Sequence, residues 1–155
     1  MSLILATGSN IGDKPDSLAR AKKLLSEEFI LLAESRIYTS PAVEYLNQPD
    51  FYNQVLEFEI PNFFPQEALK KINSIEHILG RTRDIDKGPR TIDIDIIFWG
   101  LSSLNEESLQ IPHPSWEQRS FVVHPLCELP YFQTIQKHFI IPSTFNNSAK
   151  PVEKE

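Results

Sequence analysis

Gly88-Pro89-Arg90-Thr91-Ile92-Asp93-Ile94-Asp95 sets an arginine ahead of two aspartates spaced i, i+2 in a run of β-branched residues. Continued through Trp99 to Gly100, it reads as a strand over 91–99. Alternate side chains of a strand share a face, so Asp93 and Asp95 lie together, their Cα atoms about 6.6–7 Å apart. Ile92, Ile94 and Ile96 turn the other way, toward a core. The position of this strand settles the topology, because it closes a series of six elements.

Leu3 to Ala6 is a short apolar run ending in Thr7-Gly8-Ser9-Asn10, which reads as a buried first strand and a turn. Asp13 as cap and Pro15 in a first turn precede Leu18, Ala21, Leu24 and Leu25 at helical spacing, predicting a helix over about 15–26. A second strand is expected within 29–38, interrupted near Ala33-Glu34-Ser35. The long Pro-marked loop 39–50 has the character of a functional segment. Val55, Leu56, Phe58 and Ile60 make 51–60 the third strand, stopped by Pro61. Ala68, Leu69, Ile72, Ile75, Ile78 and Leu79 give a helix over 65–79 with Gly80 as its C-cap. The charged stretch 81–88 has no apolar period and reads as a mobile loop.

The order β-α-β-β-α-β predicts an α+β fold, a ferredoxin-like antiparallel sheet with both helices on one face and the other face available for a site. A C-terminal extension follows, broken by Pro112-His113-Pro114, and within 115–129 it is partly helical until Pro125. A single domain is expected over 1–141, with the polar, Lys/Glu-rich residues 142–155 as a flexible tail.

At 155 residues, 41% hydrophobic and 23% charged, the chain fits one globular domain with a single core. A net charge of −6 gives no electrostatic footprint for nucleic acid. One cysteine excludes an internal disulfide, and Cys127, with no Cys/His neighbourhood, reads as a small buried residue. Residues 1–8 lack the pattern of a signal peptide, and no apolar run approaches the roughly 18–20 residues of a membrane span. A cytoplasmic monomer without membrane partners is the expectation.

Two carboxylates on one face suit a hard cation such as Mg²⁺, which is commonly held by one or two carboxylates plus substrate phosphates. The alternative is a polar strand face that merely meets water. Arg81, Arg83, Lys87 and Arg90 place four cations within ten residues beside the aspartates, an anion trap next to a cation trap. The plainer reading is a solvated loop balanced by Asp84 and Asp86. His113 and Arg119-Ser120-Phe121 lie in a Pro-bounded segment; His77, His124 and His138 read as structural.

In order along the chain, Gly8-Ser9-Asn10, Tyr38-Thr39-Ser40-Pro41, Gln48-Pro49-Asp50-Phe51-Tyr52-Asn53, Glu76, Gly80-Arg81-Thr82-Arg83, Gly88 to Asp95, Pro112-His113 and Arg119-Ser120-Phe121 carry a resemblance. From about Leu3 to Leu129 the sequence resembles the 6-hydroxymethyl-7,8-dihydropterin pyrophosphokinases of folate biosynthesis. The resemblance implies transfer of the terminal pyrophosphoryl group of ATP to the pterin hydroxymethyl oxygen, releasing AMP. It implies that Asp93 and Asp95 bind two Mg²⁺ ions and that Arg81 and Arg90 clamp phosphate oxygens, with Arg83 on the same loop. Phe51 and Phe121 would stack on the pterin. Asn53 would read its edge, with Ser40, Pro41, Ala42 and Val43 lining that edge and Asp93 near the reacting group. Glu76, His113 and Arg119, with Asn73, would lie on the nucleotide side.

Several positions depart from the family's pattern. Lys87 stands where many members carry an aromatic residue, the 83–88 loop is one residue short, and Pro41-Ala42 and Pro114 replace Pro-Pro and tyrosine. Metal-dependent phosphate hydrolysis and non-catalytic binding are the competing readings. The first is disfavoured by the lack of further acidic or histidine ligands near Asp93, the second by retention of both aspartates and both phosphate arginines.

Overall fold

The computed structural model describes residues 1–42, 47–80 and 91–152. Its sheet is organised about β1 (Ser2–Ser9), which pairs antiparallel with β4 (Phe51–Glu59) on one side and with β5 (Asp93–Trp99) on the other. β2 (Leu31–Glu34) and β3 (Tyr38–Ser40) both pair antiparallel with β4, as two pieces of the expected second strand. The break falls at Ser35 for a chemical reason. Its hydroxyl accepts from the Val55 N–H at 3.0 Å, its own N–H donates to the Val55 carbonyl at 2.9 Å, and its carbonyl accepts from the Gln54 side chain at 2.8 Å. A side chain thus takes a place in the ladder and lets the strand change course.

α1 (Lys14–Glu28) and α2 (Pro65–Ile78) cover one face, as expected for the split βαβ arrangement. α1 begins where Asp13 accepts from the Asp16 N–H at 3.1 Å, with Pro15 in the first turn. Leu18, Ala21 and Leu25 of α1 and Ala68, Ile72 and Ile75 of α2 close on Leu3, Leu5, Leu56, Phe58, Ile92, Ile94 and Ile96. The alternation read from the Asp93 strand is therefore realised, with its isoleucines on the helix side.

The opposite face is not left open. α3 (Ser120–Leu126) and α4 (Phe132–His138), with Trp116, pack on Ile4, Val55, Ile97 and Phe98 as a second apolar layer. A bulge prepares β5 for both layers: Leu5 opposes Ile96 but Ile4 opposes Phe98, so Ile97 is supernumerary and both Ile97 and Phe98 face the second layer. The Phe98 ring then lies 5.0 Å from Trp116 and 5.5 Å from Phe139. Among the described residues, Phe51 at the far end of this face is only half-buried.

A short hairpin of β6 (Leu104–Asn105) and β7 (Gln110–Ile111) leads to His113, whose N–H donates to the Ile97 carbonyl at 2.9 Å. Residues 142–152 are not a frayed tail. Phe145 packs on the second layer, Asn147 bonds to the start of α3, and β8 (Lys150–Pro151) pairs with β3. Two side-chain anchors in a polar run, together with the β8 pairing, dock it. Cys127 is exposed rather than buried, because Val122, Val123 and Leu126 already form the inward stripe of α3. Among the described residues no helix is long and apolar enough to cross a membrane.

Glu128 fastens the end of α3 to β3. Its carboxylate accepts from the Arg36 N–H at 2.8 Å, from Arg36 Nε at 3.1 Å and from the Tyr38 hydroxyl. Burial, then the Glu128 hydrogen bond and charge, push the Tyr38 phenol up to about 12 from its usual 10.0. The unfolded chain therefore loses this proton before the folded protein does, and stability falls as pH rises through the interval from 10 to 12. Urea unfolding at stepped pH is expected to show that decline, with a shallower slope in Tyr38→Phe. Tyr131, also raised by burial, retains part of it.

Candidate active site

Strand register builds the site. Gly8 of β1 pairs with Asn53 of β4 and with Asp93 of β5, so all three lie in one row across the sheet. Opposed residues point to the same face, which places Asn53 and Asp93 on either side of a position with no side chain, their Cα atoms about 10 Å apart. One row deeper, Ala6 lies between Val55 and Asp95. Gly8 and Ala6 thus floor a trough with the two carboxylates along one wall. A Cβ on Gly8 would stand 3.4 Å from Asn53 Oδ1 and 3.5 Å from Phe51 Cδ1, so the floor reaches both residues.

On the Asn53 wall, Asn53 Nδ2 donates to the Ser40 hydroxyl at 2.8 Å, and both side chains are buried. The amide oxygen is left on the Gly8 side. Phe51, half-buried, begins β4 on the same face. Its approach is held by Asn10, whose Nδ2 donates to Gln48 Oε1 at 2.7 Å and to the Pro49 carbonyl at 3.2 Å. Pro41 is exposed and Ala42 buried; Val43 lies outside the described residues.

The far wall is the segment from His113 to Phe121. Arg119 Nη1 is 3.9 Å from Asp95 Oδ2, and the guanidinium lies 5.7 Å above the Phe121 ring. His113 Nδ1 accepts from the Ser115 N–H at 3.1 Å, which puts the proton of the neutral ring on Nε2. Burial, then the Arg119 cation, push His113 down to about 4, with Asp93 pulling weakly the other way. At neutral pH it is an uncharged N–H donor held near the Arg119 cation and the Asp93 carboxylate.

Of the residues proposed from sequence, the fold gathers Ser40, Phe51, Asn53, Asp93, Asp95, His113, Arg119 and Phe121 about one end of the sheet. Glu76 and Asn73 do not join them. Both belong to α2, on the helix-covered side; Asn73 is exposed, and the buried Glu76 carboxylate accepts from the Ile94 N–H at 2.9 Å. Glu76 therefore holds the strand between the two aspartates, a bond that no sequence spacing announces. Arg81, Arg83 and Arg90 lie outside the described residues. Sequence reasoning missed Gly8 and Ala6 as the floor, because their role appears only once three strands are in register.

Paired carboxylates, an arginine and a neutral histidine about one end of the sheet form a set of groups suited to phosphate-bearing molecules. The family model described as 7,8-dihydro-6-hydroxymethylpterin-pyrophosphokinase (HPPK) matches residues 4–131, and the chain belongs to this family. It is 38% identical over 127 residues to the 2-amino-4-hydroxy-6-hydroxymethyldihydropteridine pyrophosphokinase of Bacillus subtilis, covering 81% of this chain and 75% of that one. It is 36% identical over 156 residues to the folic acid synthesis protein fol1 of Pneumocystis carinii, covering 91% of this chain but only 21% of that longer protein. The fold is similar to that in a crystal structure of Plasmodium falciparum HPPK-DHPS, with a TM-score of 0.59 at 14% identity, over 81% of this chain and 39% of that one.

Proposed function

We infer that this chain transfers the terminal pyrophosphoryl group of ATP to the hydroxymethyl group of 6-hydroxymethyl-7,8-dihydropterin, giving AMP and the pterin pyrophosphate. The observation that carries the assignment of residues is the row Asn53–Gly8–Asp93, which sets a ring-edge amide opposite a carboxylate across a floor without side chains. In the reaction the pterin hydroxyl oxygen bonds to the β-phosphorus and loses its proton, while the bond to the α-phosphate oxygen breaks and AMP departs with that oxygen.

Asp93 and Asp95 supply hard oxygen donors on one face of β5, a donor set that fits Mg²⁺ completed by substrate phosphates. We assign two Mg²⁺ ions to this pair, which would hold them where they would supply neutralisation of phosphate charge. Arg119 is already directed at that wall and takes a phosphate oxygen. His113 adds an uncharged Nε2–H donor, useful where a second cation would compete with the metal for the same oxygens. Phe51 and Phe121 stack on the pterin while Asn53 and the 40–42 backbone bind its edge, with Val43 assigned to that edge on its sequence motif. Arg81, Arg90 and Arg83 are assigned to the phosphate chain on their sequence motif. Asn73 is not assigned a contact, and Glu76 is assigned to holding β5.

The domain that performs this reaction is taken as residues 1–141, with 142–152 docked against it. Purified protein incubated with ATP, Mg²⁺ and the reduced pterin is expected to yield AMP only when the pterin is present. ADP, or phosphate released without pterin, would replace this reading by hydrolysis.

A further inference from the structure

We propose that Asn147, in the segment following α4, is a positioning residue that sets the separation of the two walls of the site; the proposal rests on the assignment of Arg119 and Phe121 to substrate. Asn147 Oδ1 accepts from the Ser120 N–H at 2.8 Å and from the Ser120 hydroxyl at 2.5 Å, while Nδ2 donates to the Gln118 carbonyl at 2.7 Å. These bonds grip the residues immediately before and after Arg119. Ser120 itself is fully buried, so its hydroxyl and N–H have no water to turn to if Asn147 is removed.

The same segment then runs to the other wall. Lys150 pairs with Thr39 and Pro151 with Tyr38, and the Val152 N–H donates to the Ile37 carbonyl at 2.8 Å. β3 ends at Ser40, the acceptor that orients Asn53. Within residues 147–152 the chain therefore joins the turn carrying Arg119 and Phe121 to the strand that fixes the ring-edge amide. Glu128 ties the opposite end of α3 to Arg36 and Tyr38. Held at both ends against β3, α3 can neither slide nor tilt, and the width of the trough follows. Without the Asn147 grip, the first turn of α3 keeps the apolar packing of Val122 and Val123 but loses the hydrogen bonds that fix Gln118 and Ser120 on either side of Arg119.

A misplacement of reacting groups by about 1 Å can cost about 100-fold in rate. Asn147→Ala is accordingly expected to lower kcat/KM about 10- to 100-fold, chiefly through a higher KM for the pterin, in protein that still unfolds cooperatively. Asn147→Asp keeps an acceptor for Ser120 and loses only the donor to Gln118, so it should recover most of the activity. Ser120→Ala, which loses one of the three bonds, should fall between.

Phe121→Ala is measured alongside. Wild-type pterin KM in Phe121→Ala would remove the wall assignment, and this proposal with it. A raised KM in Phe121→Ala with kcat and both KM values within twofold of wild type in Asn147→Ala, its melting temperature lowered or not, would overturn the proposal alone. Should Asn147→Ala fail to fold, Asn147→Asp and Ser120→Ala decide: wild-type kinetics in both would overturn it.

Discussion

Asp95→Ala is expected to lower pterin-dependent AMP formation at least about 1,000-fold while the protein unfolds near the wild-type temperature. The two halves of this expectation have separate physical sources. Asp95 is half-buried beside Ala6, and its ion pair with Arg119 spans 3.9 Å with the two side chains 36% and 24% exposed. A partly exposed pair at this distance contributes about 0–1 kcal/mol. Catalysis has more at stake. A metal on the phosphate chain supplies several kcal/mol of charge stabilisation, and about 4 kcal/mol corresponds to three orders of magnitude in rate. The loss should fall on kcat rather than on KM for ATP, because the charge that the metal neutralises grows toward the transition state. Steady-state kinetics at saturating Mg²⁺ with a parallel melting curve check both halves. Retention of a tenth of the activity would mean that the aspartate pair is an ordinary polar strand face, leaving Arg119 and His113 to explain the binding of phosphate.

How far the sequence reveals this protein depends on whether a feature lies within one element or between several. The helix of Ala68, Ile72 and Ile75 and the strand of Ile92, Ile94 and Ile96 declare themselves, since each carries a full period of apolar residues against one layer. So does the aspartate pair, because strand alternation alone puts both on one face. The second layer is only partly legible: helix within 115–129 is read from sequence, but α3 and α4 are seven residues each, too few to show which face is apolar, and Pro125 interrupts the first of them. The run Ile96-Ile97-Phe98-Trp99 shows burial on both faces without showing that Ile97 is a bulge, which only the pairing of Ile4 with Phe98 reveals. Phe145 and Asn147 are single anchors in a polar stretch, where composition points to disorder and two specific contacts decide otherwise. Glu76 shows the limit of a motif: that one of its carboxylate oxygens accepts from the Ile94 N–H of β5 appears only in the folded chain.

Gly8 is the position at which stability and activity should separate. Among the described residues the glycines with positive φ are Gly12, Gly80 and Gly100, so the backbone at Gly8 accepts an ordinary residue. A Cβ there meets Asn53 Oδ1 and Phe51 Cδ1 at 3.4 and 3.5 Å, which is contact without overlap. Replacing a strand glycine also removes chain entropy from the unfolded state, worth about 0.5–1 kcal/mol, and a β-branched residue suits the pleat. Gly8→Val should therefore be as stable as wild type or slightly more so. Its two methyl groups, however, rise between Asn53 and Asp93, in the space assigned to the pterin ring. A flat ring cannot stack over a floor that has gained a branched side chain, so kcat/KM for the pterin is expected to fall more than about 100-fold, as expected when reacting groups are displaced by an ångström or more. Gly8→Ala, which adds a single carbon at contact distance, should lose about tenfold or less. ATP binding in the absence of pterin should change little in both, since the phosphate contacts are assigned to the β5 and α3 walls. Calorimetric titration with ATP, pterin kinetics and urea unfolding on the two variants measure the three quantities separately. A Gly8→Val enzyme with wild-type pterin KM would place the ring elsewhere on the sheet; a graded loss in step with side-chain volume, in proteins no less stable than wild type, cannot arise from damage to the fold.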